Sequence, residues 1–144
     1  MQRSIKHHFF YSHSPETVWE FLTKAELMSQ WLMPNDFEPI ADHEFQFKIK
    51  PMPQFEFDGI VYCKVLEIVP FKKLSYTWNA GPGDGKINLD SIVTWTLIAK
   101  NNGTELLLDH SGMMINDGIY SGMNTGWQQN MKKIDTLINA ALAK

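Results

Sequence analysis

The sequence predicts an α+β fold: a curved antiparallel sheet of six to seven strands wrapped around a long C-terminal helix, with two short helices after the first strand. Three observations carry this reading. A two-residue apolar period runs through the middle of the chain. A period of three and four residues runs through its end. An Asn-Gly pair joins the last two extended runs, the strongest short-range hairpin signal. A strongly curved sheet does not touch a straight helix along its whole length. A gap is therefore expected between them, and such gaps become ligand pockets.

Ile5 to Tyr11 mixes β-branched and aromatic residues and reads as the first strand. Ser14-Pro15-Glu16 then opens a helix. The Ser14 hydroxyl can accept from a free backbone N–H, Pro15 fits a position that needs none, and Glu16 favours the positive end of the helix dipole. Val18, Phe21 and Leu22 follow at helical spacing. A second short helix covers Ala25 to Trp31, with Leu27, Met28 and Trp31 on one side, and Pro34 ends it.

Phe45, Phe47 and Ile49 alternate with polar residues and form a half-buried strand that Pro51 and Pro53 close. Gly59 to Ile68 is a longer strand, and Pro70 to Lys73 a turn. Leu74, Tyr76 and Trp78 alternate in the next strand, and the glycine-rich segment Ala80 to Lys86 is a flexible loop. Ser91 to Lys100 and Thr104 to Gly112 are two strands joined by Asn101-Asn102-Gly103. The last helix, of about 20 residues, carries Met123, Trp127, Met131, Ile134, Leu137, Ile138, Ala141 and Leu142 on one stripe. No linker or repeat divides the chain, so residues 1–144 read as one domain.

Composition bounds the function. Lys plus Arg is 13 and Asp plus Glu is 16, a net charge of −3, which lacks the basic excess of a nucleic-acid binder. The single Cys63 makes no internal disulfide. No run of about 18 apolar residues suggests a membrane span, and no signal-type segment is visible, so a cytoplasmic location is expected. The unusual feature is a load of 8 Met, 5 Trp and 9 Phe.

Five histidines are present, but His7 and His8 point to opposite faces of a strand, and no pattern gives three or four converging ligands. No metal and no cofactor is expected. His7, His8, His13 and His43 read as solvated or capped. His110 shares the core face with Leu106 and Leu108 and reads first as a buried group with one satisfied hydrogen bond. Its other readings are a polar anchor in a cavity and a general base, the latter without a visible nucleophile or paired acid. Asp109 and Glu105 lie on the opposite, water-facing parity. Glu67 reads as solvated. The loop Gly81-Pro82-Gly83-Asp84-Gly85-Lys86 precedes Ile87 and a strand, not the Ser or Thr and helix that a phosphate loop needs.

Several segments carry a family resemblance. Ser14-Pro15-Glu16-Thr17-Val18-Trp19-Glu20-Phe21-Leu22-Thr23 resembles the opening of START-like (SRPBCC) proteins of the birch-pollen-allergen type. Further segments resemble homologues of the activator of heat-shock protein 90 ATPase. They are Gln30-Trp31-Leu32-Met33-Pro34, Gly59-Ile60-Val61, Leu74-Ser75-Tyr76-Thr77-Trp78, Val93-Thr94-Trp95-Thr96-Leu97, Gly103-Thr104-Glu105-Leu106, His110-Ser111-Gly112 and Gly126-Trp127.

The resemblance implies a helix-grip fold over an apolar cavity. It places Met113, Met114, Tyr120, Met123, Trp127 and Met131 beneath the cavity mouth. Trp31, Phe45, Tyr76, Trp78, Trp95, Leu108 and His110 would line the remaining walls. The superfamily includes lipid and sterol carriers, polyketide aromatases and cyclases, and a co-chaperone. The leading expectation is non-catalytic binding of a small hydrophobic molecule. The rivals are an aromatase or cyclase on a polyketide-like substrate and a protein-interaction module that contacts a chaperone.

Overall fold

The computed structural model describes residues 2–142 of the chain. Nine-residue strand β1 (Arg3–Tyr11) leads into helices α1 (Pro15–Thr23) and α2 (Ala25–Trp31). Strands β2 (Glu44–Lys48), β3 (Ile60–Val69), β4 (Lys73–Ala80), β5 (Leu89–Lys100) and β6 (Gly103–Met113) follow, and helix α3 (Asp117–Leu142) closes the order. The six strands form one antiparallel sheet in the order β1-β6-β5-β4-β3-β2, the α+β helix-grip architecture that the element pattern predicts.

Local signals explain most boundaries. The Ser14 hydroxyl accepts from Thr17 N at 3.3 Å and caps α1, with Pro15 at the first helical position. Asn101 and Asn102 both take positive φ, 49° and 61°, as a hairpin turn matched to the strand twist demands. Lys24, extended, separates α1 from α2. Several element bounds differ from expectation by one or two residues, and three differences matter for the site. Helix α3 starts at Asp117 and has 26 residues, because Asn116 Oδ1 accepts from Ile119 N at 2.8 Å and caps it two turns before Met123. Strand β5 starts at Leu89, since pairing with Ala80 continues past Ser91. A one-turn 3₁₀ helix, Pro53–Phe55, lies where two prolines break β2 from β3.

One irregularity sets side-chain direction. Ile5 pairs with His110 but Arg3 pairs with Met113, so two residues of β1 span three of β6. Gly112 sits in this bulge at φ +85°, a conformation that glycine adopts without a Cβ clash. As a result His110 and Met113, three apart, both point inward and both are fully buried.

Between sheet and helix lies the core. Trp127, Met131, Ile134 and Ile138 form the buried stripe of α3, at spacings of four, three and four. They meet Val93, Trp95, Leu106 and Leu108 from the sheet and Trp31 and Leu22 from the short helices. No helix among the described residues is long and apolar enough to cross a membrane.

Candidate functional site

The interior is filled by aromatic rings rather than left empty. Trp78 lies 5.2 Å from Trp127, Trp127 lies 5.6 Å from Trp95, and Trp95 lies 5.9 Å from Trp31, centroid to centroid. Phe45 and Phe47 join the group through Tyr76 and Trp78. These tilted and edge-on arrangements are the favoured ones for aromatic pairs. The Trp31 indole N–H donates to Phe21 O at 2.7 Å and the Trp95 indole N–H to Tyr76 Oη at 2.9 Å. Desolvation by burial raises the Tyr76 and Tyr11 phenols and the Cys63 thiol above their ordinary pKa ranges, so all three stay protonated.

His110 is the centre of a polar chain inside this cluster. Trp127 Nε1–H donates to His110 Nδ1 at 3.0 Å, which makes Nδ1 the acceptor nitrogen. The proton of the neutral ring then sits on Nε2, which donates to Ser91 Oγ at 2.8 Å. Ser91 in turn donates to the Trp78 carbonyl at 2.6 Å. Every donor and acceptor in the chain is used once. Burial pushes the His110 pKa down to about 4, so the ring is neutral at physiological pH. The expected single hydrogen bond is in fact two, and neither nitrogen is free to take a proton from a substrate.

Unfilled space lies at one end of the grip. A hollow of about 600 Å³ opens between the first turns of α3, the ends of β3 to β5, and the 49–57 segment. Its sheet side presents Val61, Trp78, Ala80 and Leu89. Its helix side presents Met114, Ile115, Gly118, Ile119, Gly122 and Met123. Ile49, Met52, Phe55 and Phe57 close a third side, with Met33 behind them. The polar lining consists of Glu56, Asn88 and Asn116.

Of the thirteen residues expected around a cavity, Trp78, Met114 and Met123 border this hollow. Met114 is 61% exposed at its rim. Trp31, Phe45, Tyr76, Trp95, Leu108, His110, Met113, Trp127 and Met131 are buried in the core behind it. Tyr120 turns away to β1, where its hydroxyl donates to Ser4 O at 3.2 Å and its ring lies 5.0 Å from the Arg3 guanidinium. Arg3 also pairs with Asp117, so the start of α3 is fastened to the sheet edge. The 49–57 segment, Leu89 and the two glycines were not singled out from sequence. The Pro51 and Pro53 pair was the available signal, since it forces the chain to fold back over the sheet end.

Other titratable groups are placed simply. Glu67 pairs with Lys73 at 2.9 Å on the surface, as a solvated residue should. Asp109 differs from its water-facing expectation: it is half-buried on the outer sheet face, and its Oδ1 is buried without a hydrogen-bond partner. Its cross-strand neighbours are Lys6 of β1 and Thr94 of β5. Among the described residues no three His, Cys, Asp or Glu side chains gather as a metal site.

Comparison with known proteins follows the same architecture. Protein MLL2253 from Mesorhizobium loti is 35% identical, with a TM-score of 0.84 over 96% of this chain and 98% of that one. The Aha1 protein of Colwellia psychrerythraea, solved as a dimer, is 17% identical at a TM-score of 0.76, over 94% of this chain and 96% of that one. DynU16, from the dynemicin biosynthetic locus, is 17% identical at 0.78 and shares the fold over 96% of this chain and 48% of its own. No curated protein matches in sequence. The profile of the "Activator of Hsp90 ATPase homolog 1-like protein" family matches residues 12–139, and the chain belongs to that family.

Proposed function

We propose that the hollow at the open end of the grip binds a small hydrophobic molecule, lipid-like or polycyclic, without covalent chemistry. The observation that carries this is the contrast between a densely filled interior and a hollow of about 600 Å³ walled mainly by Met, Ile, Leu and aromatic side chains. That volume lies within the roughly 300–1,000 Å³ typical of small-molecule sites. Methionine suits the role because its flexible thioether adapts to irregular apolar shapes, and Met33, Met52, Met114 and Met123 all reach the hollow. Glu56, Asn88 and Asn116 supply the few polar groups that orient a ligand. The occurrence of the fold in a protein of a biosynthetic locus supports a small-molecule role.

Saturation of both His110 nitrogens speaks against the cyclase reading in which that residue is the acid–base group. Isothermal titration calorimetry with palmitate, cholesterol hemisuccinate and anthracene-2-carboxylate tests the proposal. One of the three should bind with 1:1 stoichiometry. Leu89→Trp, which fills the hollow from β5, should weaken that binding by about tenfold or more. Absence of binding by all three classes would sink the reading.

A further inference from the structure

We infer that the hollow selects apolar molecules that end in an ammonium group, with Glu56 as the residue that sets the preference; this rests on the binding reading above. Of the residues that border the hollow, Glu56 alone is charged, and no Lys, Arg or His is among them. Glu56 also enters none of the ion pairs among the described residues. A carboxylate so placed attracts a cation and repels a second carboxylate, and apolar walls screen it less than open water does. Its backbone adds to the point. Glu56 closes the 3₁₀ turn at φ +54°, in the left-handed region where glycine or asparagine is usual. The chain thus holds a long acidic side chain where local geometry favours a short one.

The neighbours of Glu56 favour the same ligand class. Phe55 and Phe57 flank it in sequence, and both border the hollow, as does Trp78. An aromatic face is negative, so it attracts an ammonium within about 6 Å of the ring centre and repels a carboxylate. Asn88 turns its Nδ2 to the Glu56 carbonyl at 3.5 Å, which leaves its Oδ1 to accept from a bound donor. One feature of the site favours anions, the positive end of α3. It is already answered, because Asn116 Oδ1 accepts from Ile119 N and Asp117 places a carboxylate in the first turn. Arg3, which pairs with Asp117, lies against Tyr120 and does not border the hollow. The ligand that suits this wall has an apolar body between the sheet end and α3 and an amine or quaternary ammonium head at residues 55–57.

The test keeps the apolar body fixed and changes the head. Two series are titrated calorimetrically into the full chain at pH 7.5 and low ionic strength. One is 2-(aminomethyl)anthracene, 2-(hydroxymethyl)anthracene and anthracene-2-carboxylate; the other is dodecylamine, dodecanol and dodecanoate. In a series that binds, the amine should bind about tenfold more tightly than the carboxylate, with the alcohol between them. Glu56→Gln changes an exposed side chain and should keep the melting temperature, yet reduce that ratio to about threefold or less. Glu26→Gln removes the same charge from exposed α2, outside the hollow, and should leave the ratio unchanged. A carboxylate that binds as tightly as its amine, a ratio untouched by Glu56→Gln, or an equal fall in both variants overturns the selectivity while leaving the binding reading intact. Failure of every compound in both series to bind the unaltered protein overturns the two together.

Discussion

The buried His110 chain makes the protein's stability depend on pH in a defined window. In the folded state burial holds the imidazole pKa near 4, against an ordinary 6.5 in the unfolded chain. The folded ring thus binds a proton less readily than the unfolded one. Its contribution to stability is present above pH 6.5 and is lost as pH falls from 6.5 towards 4. At pH 4.5 the unfolded chain is almost fully protonated at this position, while the folded chain carries about a quarter of a proton. Integrating the difference from pH 7.5 to 4.5 gives a loss of about 2.5 kcal/mol from this residue.

Urea denaturation at pH 7.5, 5.5 and 4.5 measures the loss, with His110→Leu as the variant that removes the titrating group. That variant should be less stable at pH 7.5, by about 1–3 kcal/mol for the orphaned Trp127 N–H. Its stability should then fall less steeply than that of the unaltered protein, by about 2.5 kcal/mol over the full range. Equal losses in the two proteins would refute the reasoning. So would an imidazole that titrates near 6.5 by NMR in the folded protein.

Two further outcomes follow from the geometry. Gly112→Ala forces a Cβ into φ +85° at the β6 bulge, where the nearest atom is 3.7 Å away, so the cost is backbone conformation alone. It should destabilise by about 1–2 kcal/mol in a thermal melt. Arg3→Ala removes an exposed pair and a cation–π contact and should change global stability by less than about 1 kcal/mol. Hydrogen exchange at residues 117–121 should nevertheless accelerate, because these contacts fasten the start of α3 to β1.

What the sequence made legible was the class and placement of the elements. The Ser14-Pro15 start, the Asn101-Asn102-Gly103 turn and the alternation of Phe45 with Phe47 are local signals with local causes, and the structure follows each. The position of the unfilled space was not legible in the same way. A two-residue period tells which face Tyr76, Trp78 and Trp95 take; it carries no information on whether the opposing face is close enough to fill the volume. That depends on how far the sheet curves away from α3, and curvature accumulates over all six strands. The Asn116 cap and the Gly112 bulge were hidden for a related reason. Both lie in the 111–117 segment, where period two gives way to period 3.6 and neither pattern is long enough to register.

The tryptophan row has a consequence in optics. Four of the five indoles form a continuous series with centroid spacings of 5.2, 5.6 and 5.9 Å, while Trp19 stands apart against Phe71. Excited states so close exchange energy faster than they emit. Energy can therefore pass along the row from the middle of the core to Trp78, the member that borders the hollow. Excitation absorbed deep inside can thus be quenched by a molecule that touches only Trp78. The protein carries its own antenna, with its outer end at the proposed site.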